Sequence, residues 1–175
     1  MVVNNSDRWI MKHIVSVVVY NNSGVLSRVS SLFGRRGFNI DSLSVATTDD
    51  PKISRITITA RGDENTLDQI IKQTSKLEET INVTALKEED SVCRELILVK
   101  VVTTGQFDNS IVQLADEFGA LILDITSKSM ILELTGTSRK IDNFAAAISD
   151  LCKSREGMRV KNVCRTGITA IDRGV

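Results

Sequence analysis

Residues able to carry chemistry are few and poorly grouped. His13 is the only histidine in the 175-residue chain. It falls in a β-branched run with no Asp/Ser or Cys/Ser arrangement beside it, so an ordinary strand histidine outweighs a base or a ligand. Cys93, Cys152 and Cys164 are odd in number and show no CxxC or His-paired spacing. A structural zinc site needs four ligands, so reduced, partly buried thiols are expected and no metal site is assigned. Asp49–Asp50 has the look of a carboxylate pair, but it precedes Pro51 between two strand-like runs and reads as turn chemistry. Arg35–Arg36 falls where a helix ends, where positive charge complements the dipole. Dinucleotide, P-loop, nucleophile-elbow and zincin motifs are all missing from the sequence. No catalytic residue is assigned.

One segment has the chemistry of a binding site. Asn21-Asn22-Ser23-Gly24 links a strand to a helix. Gly24 lets backbone approach a ligand, and the N–H groups of the following helix start suit a small anion such as a carboxylate. Asn21, Asn22 and Ser23 add side-chain donors and acceptors for an ammonium or carboxylate group. An N-cap and tight turn holding no ligand explains the same residues, and the residue pattern alone favours it over a binding site.

The elements that must position this loop follow from hydrophobic period. Lys12–Tyr20 (KHIVSVVVY) reads as a strand. Val25, Leu26, Val29, Leu32 and Phe33 mark a helix closed by Gly37. Runs 39–48 and 53–61 make a hairpin, a helix carries Leu67, Ile70, Ile71, Thr74 and Leu77 inward, and 81–86 is a fourth strand. The order is β-α-β-β-α-β, the split βαβ or ferredoxin-like unit. Lys87-Glu88-Glu89-Asp90 reads as a linker. The second half repeats the order with strand 95–103, a helix through Phe107, Ile111, Leu114, Ala115 and Phe118 ended by Gly119, a 120–126/129–135 hairpin, a helix through Ile141–Leu151 and a strand 160–164. Gly62, Leu67, Ile70, Ile71, Thr74 and Leu77 correspond to Gly136, Ile141, Phe144, Ala145, Ile148 and Leu151 at a constant offset of 74, the mark of a duplicated architecture. The expected fold class is α+β, with two ferredoxin-like βαββαβ domains in tandem. The expected boundaries are an N-terminal extension 1–11, a first domain 12–88 and a second domain 89–175.

Composition narrows the function classes. The 22 Lys+Arg balance 22 Asp+Glu, which argues against a nucleic-acid binder. No apolar run reaches the roughly 18 residues a membrane span needs. The opening residues lack the apolar stretch of a signal peptide, and a cytoplasmic location is expected. Apolar content of 42% is that of a globular chain, so disorder is not expected either.

Ordered motifs sharpen the reading. Asn22-Ser23-Gly24-Val25-Leu26-Ser27-Arg28-Val29, Leu32-Phe33, Arg36-Gly37-Phe38-Asn39-Ile40, Ser42-Leu43, Val45-Ala46, Thr48-Asp49-Asp50-Pro51 and Ser54-Arg55-Ile56-Thr57-Ile58 follow one another. Gly62-Asp63-Glu64, Arg94-Glu95-Leu96, Leu98-Val99-Lys100, Gly136-Thr137-Ser138 and Ile141-Asp142 continue the series. From about Lys12 onward the chain resembles the small regulatory subunits of acetohydroxyacid synthase (acetolactate synthase), whose first half is an ACT domain. The resemblance implies a non-catalytic protein that binds a thiamine-diphosphate-dependent catalytic large subunit. That complex is a transferase of branched-chain amino-acid biosynthesis. The small subunit raises its activity and confers feedback inhibition by valine, or by isoleucine or leucine. It implies a homodimer through the ACT domains and a second domain that adds to activation. Effector contacts are expected from Asn21, Asn22, Ser23, Gly24, Val25 and Leu26 of one protomer, with Asn39 and Ile40 from its neighbour. Val25, Leu26 and Ile40 would meet an apolar side chain. Thiamine diphosphate, magnesium and flavin (FAD) would belong to the partner, with no cofactor on this chain. The alternative is a free-standing ACT-type amino-acid sensor acting on another protein.

Overall fold

In the computed structural model, which describes residues 11–35, 37, 39–107 and 109–174 (Thr66 by its backbone alone), the period of each apolar run sets its element. The extension expected over 1–11 therefore lies outside the described residues except for Met11, as do Arg36 and Phe38. The chain divides into two units, one running to Cys93 and resuming at Ile168, the other Arg94–Gly167.

In the first unit, strand β1 (Met11–Tyr20) leads into helix α1 (Val25–Arg35), strands β2 (Ile40–Thr47) and β3 (Ile53–Gly62), helix α2 (Glu64–Thr74) and strand β4 (Thr80–Leu86). The antiparallel sheet has the order β2-β3-β1-β4, so β2 and β4 are its edges. Alternation sends Val15, Val17 and Val19 of β1 and Ile56, Ile58 and Ala60 of β3 to one face. Val25, Val29 and Phe33, spaced four apart on α1, pack there with Ile70 of α2. Thr48, Asp50 and Pro51 behave as turn residues. Asp50 Oδ1 accepts from Lys52 N at 2.8 Å, and Thr48 N donates to Ile53 O at 2.9 Å. His13 serves the strand, its Nε2 donating to Gly62 O at 2.9 Å.

The second unit holds most of β5 (Ser91–Thr103), then α3 (Asn109–Phe118), β6 (Leu121–Ile125), β7 (Ser129–Gly136), α4 (Ser138–Ser154) and β8 (Met158–Arg165). The path β6-β7-β5-β8 repeats the order of the first sheet, as a duplicated architecture does. Ile97, Val99, Val101, Met130, Leu132 and Leu134 face Ile111, Ala115, Ile141, Phe144 and Ile148 of the helices. Thr137 caps α4 by accepting from Lys140 N. Glu95 is 5% exposed and receives Arg165 through two hydrogen bonds, Nε to Oε1 at 2.6 Å and Nη2 to Oε2 at 2.9 Å. Arg165 Nη1 also donates to Asp142 Oδ1 at 2.8 Å. The Glu95 hydrogen bonds are the main reason that the guanidinium is held more firmly protonated than usual. This network ties β5, β8 and α4.

The division differs from the one expected at residues 88 and 89. Lys87–Asp90 is not a free linker. Asp90 N donates to Lys87 O at 3.2 Å, Arg173 N donates to Asp90 O at 2.8 Å, and β5 begins directly at Ser91. After Gly167 the chain forms a further strand, β9 (Thr169–Asp172), which pairs with β5 and rejoins the first unit. The cause is exposed apolar surface. Ile14 points from β1 away from the helices, and Ile168 and Ala170 bury it together with the partly buried Leu86 and Cys93. Ile168 N donates to Ser42 Oγ at 3.4 Å, and that hydroxyl bonds Thr59 Oγ1 at 2.7 Å.

Ile168→Ala should therefore lower the stability of the first unit by about 2 kcal/mol, the small end of buried Ile truncations because the cluster is shallow. Chemical denaturation followed by a first-unit probe measures it; an unchanged midpoint would show that the returning segment contributes no stability. Burial pushes the Cys152 thiol above its ordinary value of 9.0, whereas Cys164 is exposed. The stability contributed by neutral Cys152 is then complete below about pH 9 and is lost as pH rises through the raised folded value. Thiol labelling near neutral pH, read by mass spectrometry, should modify Cys164 first and Cys152 only on unfolding.

Candidate functional site

The loop that joins β1 to α1 is pinned at its first residue and open after it. Asn21 N donates to Lys52 O at 2.7 Å, and Asn21 Nδ2 donates to Pro51 O at 3.0 Å. Both bonds anchor the loop to the β2–β3 turn. Asn22 N donates to Tyr20 O at 2.8 Å, and Val25 N donates to Asn22 O at 3.4 Å. Gly24 takes φ +82°, a left-handed conformation that disfavours a side chain, and a Cβ there would stand 3.3 Å from Arg28 Nη1. Arg28 itself pairs with Glu79, whose carbonyl accepts from Tyr20 N at 2.9 Å. The chain thus enters α1 in a fixed geometry.

What the loop offers a ligand is mostly backbone. The N–H groups of Gly24, Leu26 and Ser27 have no hydrogen-bond partner among the described residues, while Arg28 N is the first to close a helical turn, onto Gly24 O. Asn21, Asn22, Ser23 and Gly24 are all exposed, so solvent reaches these donors. The arrangement suits a carboxylate.

The apolar side of the expected site is distributed differently. Val25 is 3% exposed and packs with Val29 and Phe33 in the core, leaving only its backbone near the loop. Leu26, one residue on, is 39% exposed. The i, i+4, i+8 spacing of Val25, Val29 and Phe33 already carries this distinction, because it puts Leu26 about 100° around the helix. Asn39 is exposed and Ile40 half-buried, but the chain does not bring them to the loop. Tyr20 pairs with Ile53 and Ile40 with Ala60, so seven residues of β3, about 23 Å of strand, separate the two groups. They lie at opposite ends of the sheet.

No cluster of three or more His, Cys, Asp or Glu side chains able to hold a metal ion occurs among the described residues. Nor is any helix among them long and apolar enough to cross a membrane.

Comparison with known proteins gives this geometry a family. Residues 15–82 match the family model described as the AHAS small subunit-like ACT domain, and residues 94–174 match that of the small subunit of acetolactate synthase. The acetolactate synthase small subunit of Haemophilus influenzae is 43% identical, over 94% of this chain and 97% of its own length. The isozyme 3 small subunit of Escherichia coli is 42% identical over the same shares of the two chains. The crystal structure of the acetolactate synthase small subunit from Thermotoga maritima superposes with a TM-score of 0.82 at 37% identity, covering 95% of this chain and 99% of that one. The tandem α+β architecture with a leading ACT domain is the fold these relatives share, and the chain belongs to the acetolactate synthase small-subunit family.

Proposed function

We propose that this chain is the non-catalytic regulatory subunit of an acetolactate synthase. It binds the catalytic large subunit, raises its activity, and makes it sensitive to a branched-chain amino acid held by the first unit. Thiamine diphosphate, magnesium and FAD sit on the large subunit. The observation that carries the reading is the donor-rich, solvent-open start of α1 in a chain of this family.

This reading also calls for two copies. β2 is an edge strand with an unpaired ladder. Its Thr47 pairs with Ser54, next to the Tyr20–Ile53 pair from which the loop leaves the sheet. If β2 pairs antiparallel with β2 of a second copy, Ile40 and Asn39 of that copy arrive beside the Thr47 end, close to Asn21–Leu26. The carboxylate of the effector then meets the N–H groups of α1. Its side chain meets Leu26 and the partner copy's hydrophobic strand start, and Asn21, Asn22, Ser23 and the neighbour's Asn39 complete the polar contacts.

Regulation follows by linkage. An effector shared by two protomers stabilises one packing of the dimer, and it inhibits only to the extent that it binds the less active holoenzyme more tightly. Calorimetry on the full chain should show saturable binding of valine, isoleucine or leucine. Gly24→Asp places a carboxylate against the anion position, and Asn39→Ala removes a polar contact. Both should abolish valine inhibition of the reconstituted enzyme and leave activation of the large subunit in place. Full inhibition retained in both variants would remove the site from Asn21–Leu26 and Asn39–Ile40.

A further inference from the structure

Beyond this reading, the second unit gathers positive charge around one recess. An open recess of about 400 Å³ is lined by Lys100, Lys128, Arg159 and Lys161, with hydroxyls from Thr103 and Thr104, and no Asp or Glu lines it. Lys100 points away from the helices because its neighbours Val99 and Val101 enter the core. Arg159 pairs across the ladder with Val102, on that same outer face. Lys161 is the extra residue of a β-bulge. Lys100 pairs with Asn162 and Val101 with Val160, leaving Lys161 unmatched. A bulge of this kind re-aims its side chain. Lys128 is tethered at the rim, its Nζ donating to Thr104 O at 2.8 Å and to Gly105 O at 3.0 Å.

Gly157 also lines the recess and packs closely against Thr104. Gly157 takes φ +76°, and a Cβ there would fall 2.2 Å from Thr104 Oγ1. Among the described residues, Lys100, Arg159 and Lys161 have no ion-pair partner. Like charges converging on a recess repel one another and contribute nothing to the core. An anion reverses the sign of that interaction.

We propose that this recess binds a small polyanion of the phosphate type, whose several oxygens meet Lys100, Arg159 and Lys161 while Lys128 closes the rim. Its volume lies in the range of small-molecule sites rather than that of a macromolecular contact. The four cations come from β5, the β6–β7 turn and β8, so one bound anion cross-links the open face of the sheet.

Inorganic pyrophosphate titrated calorimetrically into the full chain at about 0.1 M salt tests the proposal. Saturable binding with one site per chain and a dissociation constant of about 1 mM or tighter is expected. Arg159→Gln and Lys161→Gln should each weaken binding about tenfold, as the loss of one charge-assisted contact does. Lys72→Gln, an exposed change on α2, should leave binding unchanged. Pyrophosphate should also raise the melting temperature of the wild-type chain and not that of the Arg159/Lys161 double variant. Absence of saturable binding up to about 10 mM overturns the proposal. Equal weakening by Lys72→Gln overturns it too, because general charge attraction then explains the heat. If pyrophosphate fails to bind and Arg159→Glu instead abolishes association with the large subunit, the recess is an acidic-protein contact and the proposal falls.

Discussion

Two helices can cover only one face of a four-stranded antiparallel sheet, and the rest of this molecule follows from how each unit treats the other face and the edges. In the first unit the outer face is largely hydroxyl-bearing. Ser16, Thr57 and Thr59 are nearly fully buried on it, and Arg55 Nη1 reaches Ser16 Oγ at 3.1 Å. Of the apolar residues there, Ile14 is covered by β9 and the residues around it. In the second unit the same face carries cations at one end. The duplicated cores, built on the same strand order, therefore support two surfaces of different chemistry.

The edges are treated differently again. β2 begins at Ile40 and ends beside the loop that enters α1, so what this edge pairs with decides whether the loop stands alone or becomes half of a composite site. That dependence is a property of antiparallel order. Reversing an edge strand in a second copy would exchange its ends and make neighbours of residues that stand about 23 Å apart in one chain.

Legibility in the sequence tracked the length and period of each apolar run. β1, with Val15, Val17 and Val19 alternating, and α4, with Ile141, Phe144 and Ile148 in helical step, were readable because burial dictated every inward position. β9 was not, since it is four residues long and its single buried member, Ala170, is unremarkable without knowledge that Ile14 needs cover. The start of β5 was hidden by the charged run before it, which resembles a linker although Arg173 N ties it down. Gly24 was legible as the punctuation between β1 and α1. The distance to Asn39 was not, because it depends on register. The cation cluster was invisible for another reason: a net charge of zero averages over the chain, and its members lie in separate segments brought together only by the pairing of β5, β7 and β8.

The return of the chain to the first unit from Ile168 onward makes the second an insertion within it. Residues 94–167 are continuous, whereas the first unit is assembled from both ends of the described chain. During synthesis, which runs from the N-terminus, the second unit can complete its core before the first receives its last strand. Once it does, the antiparallel pairing of Ile97 with Arg165 holds its entry and exit side by side, so the final residues are delivered close to the face they cover. Closing that long loop then costs the first unit little entropy, because the inserted unit has already closed it.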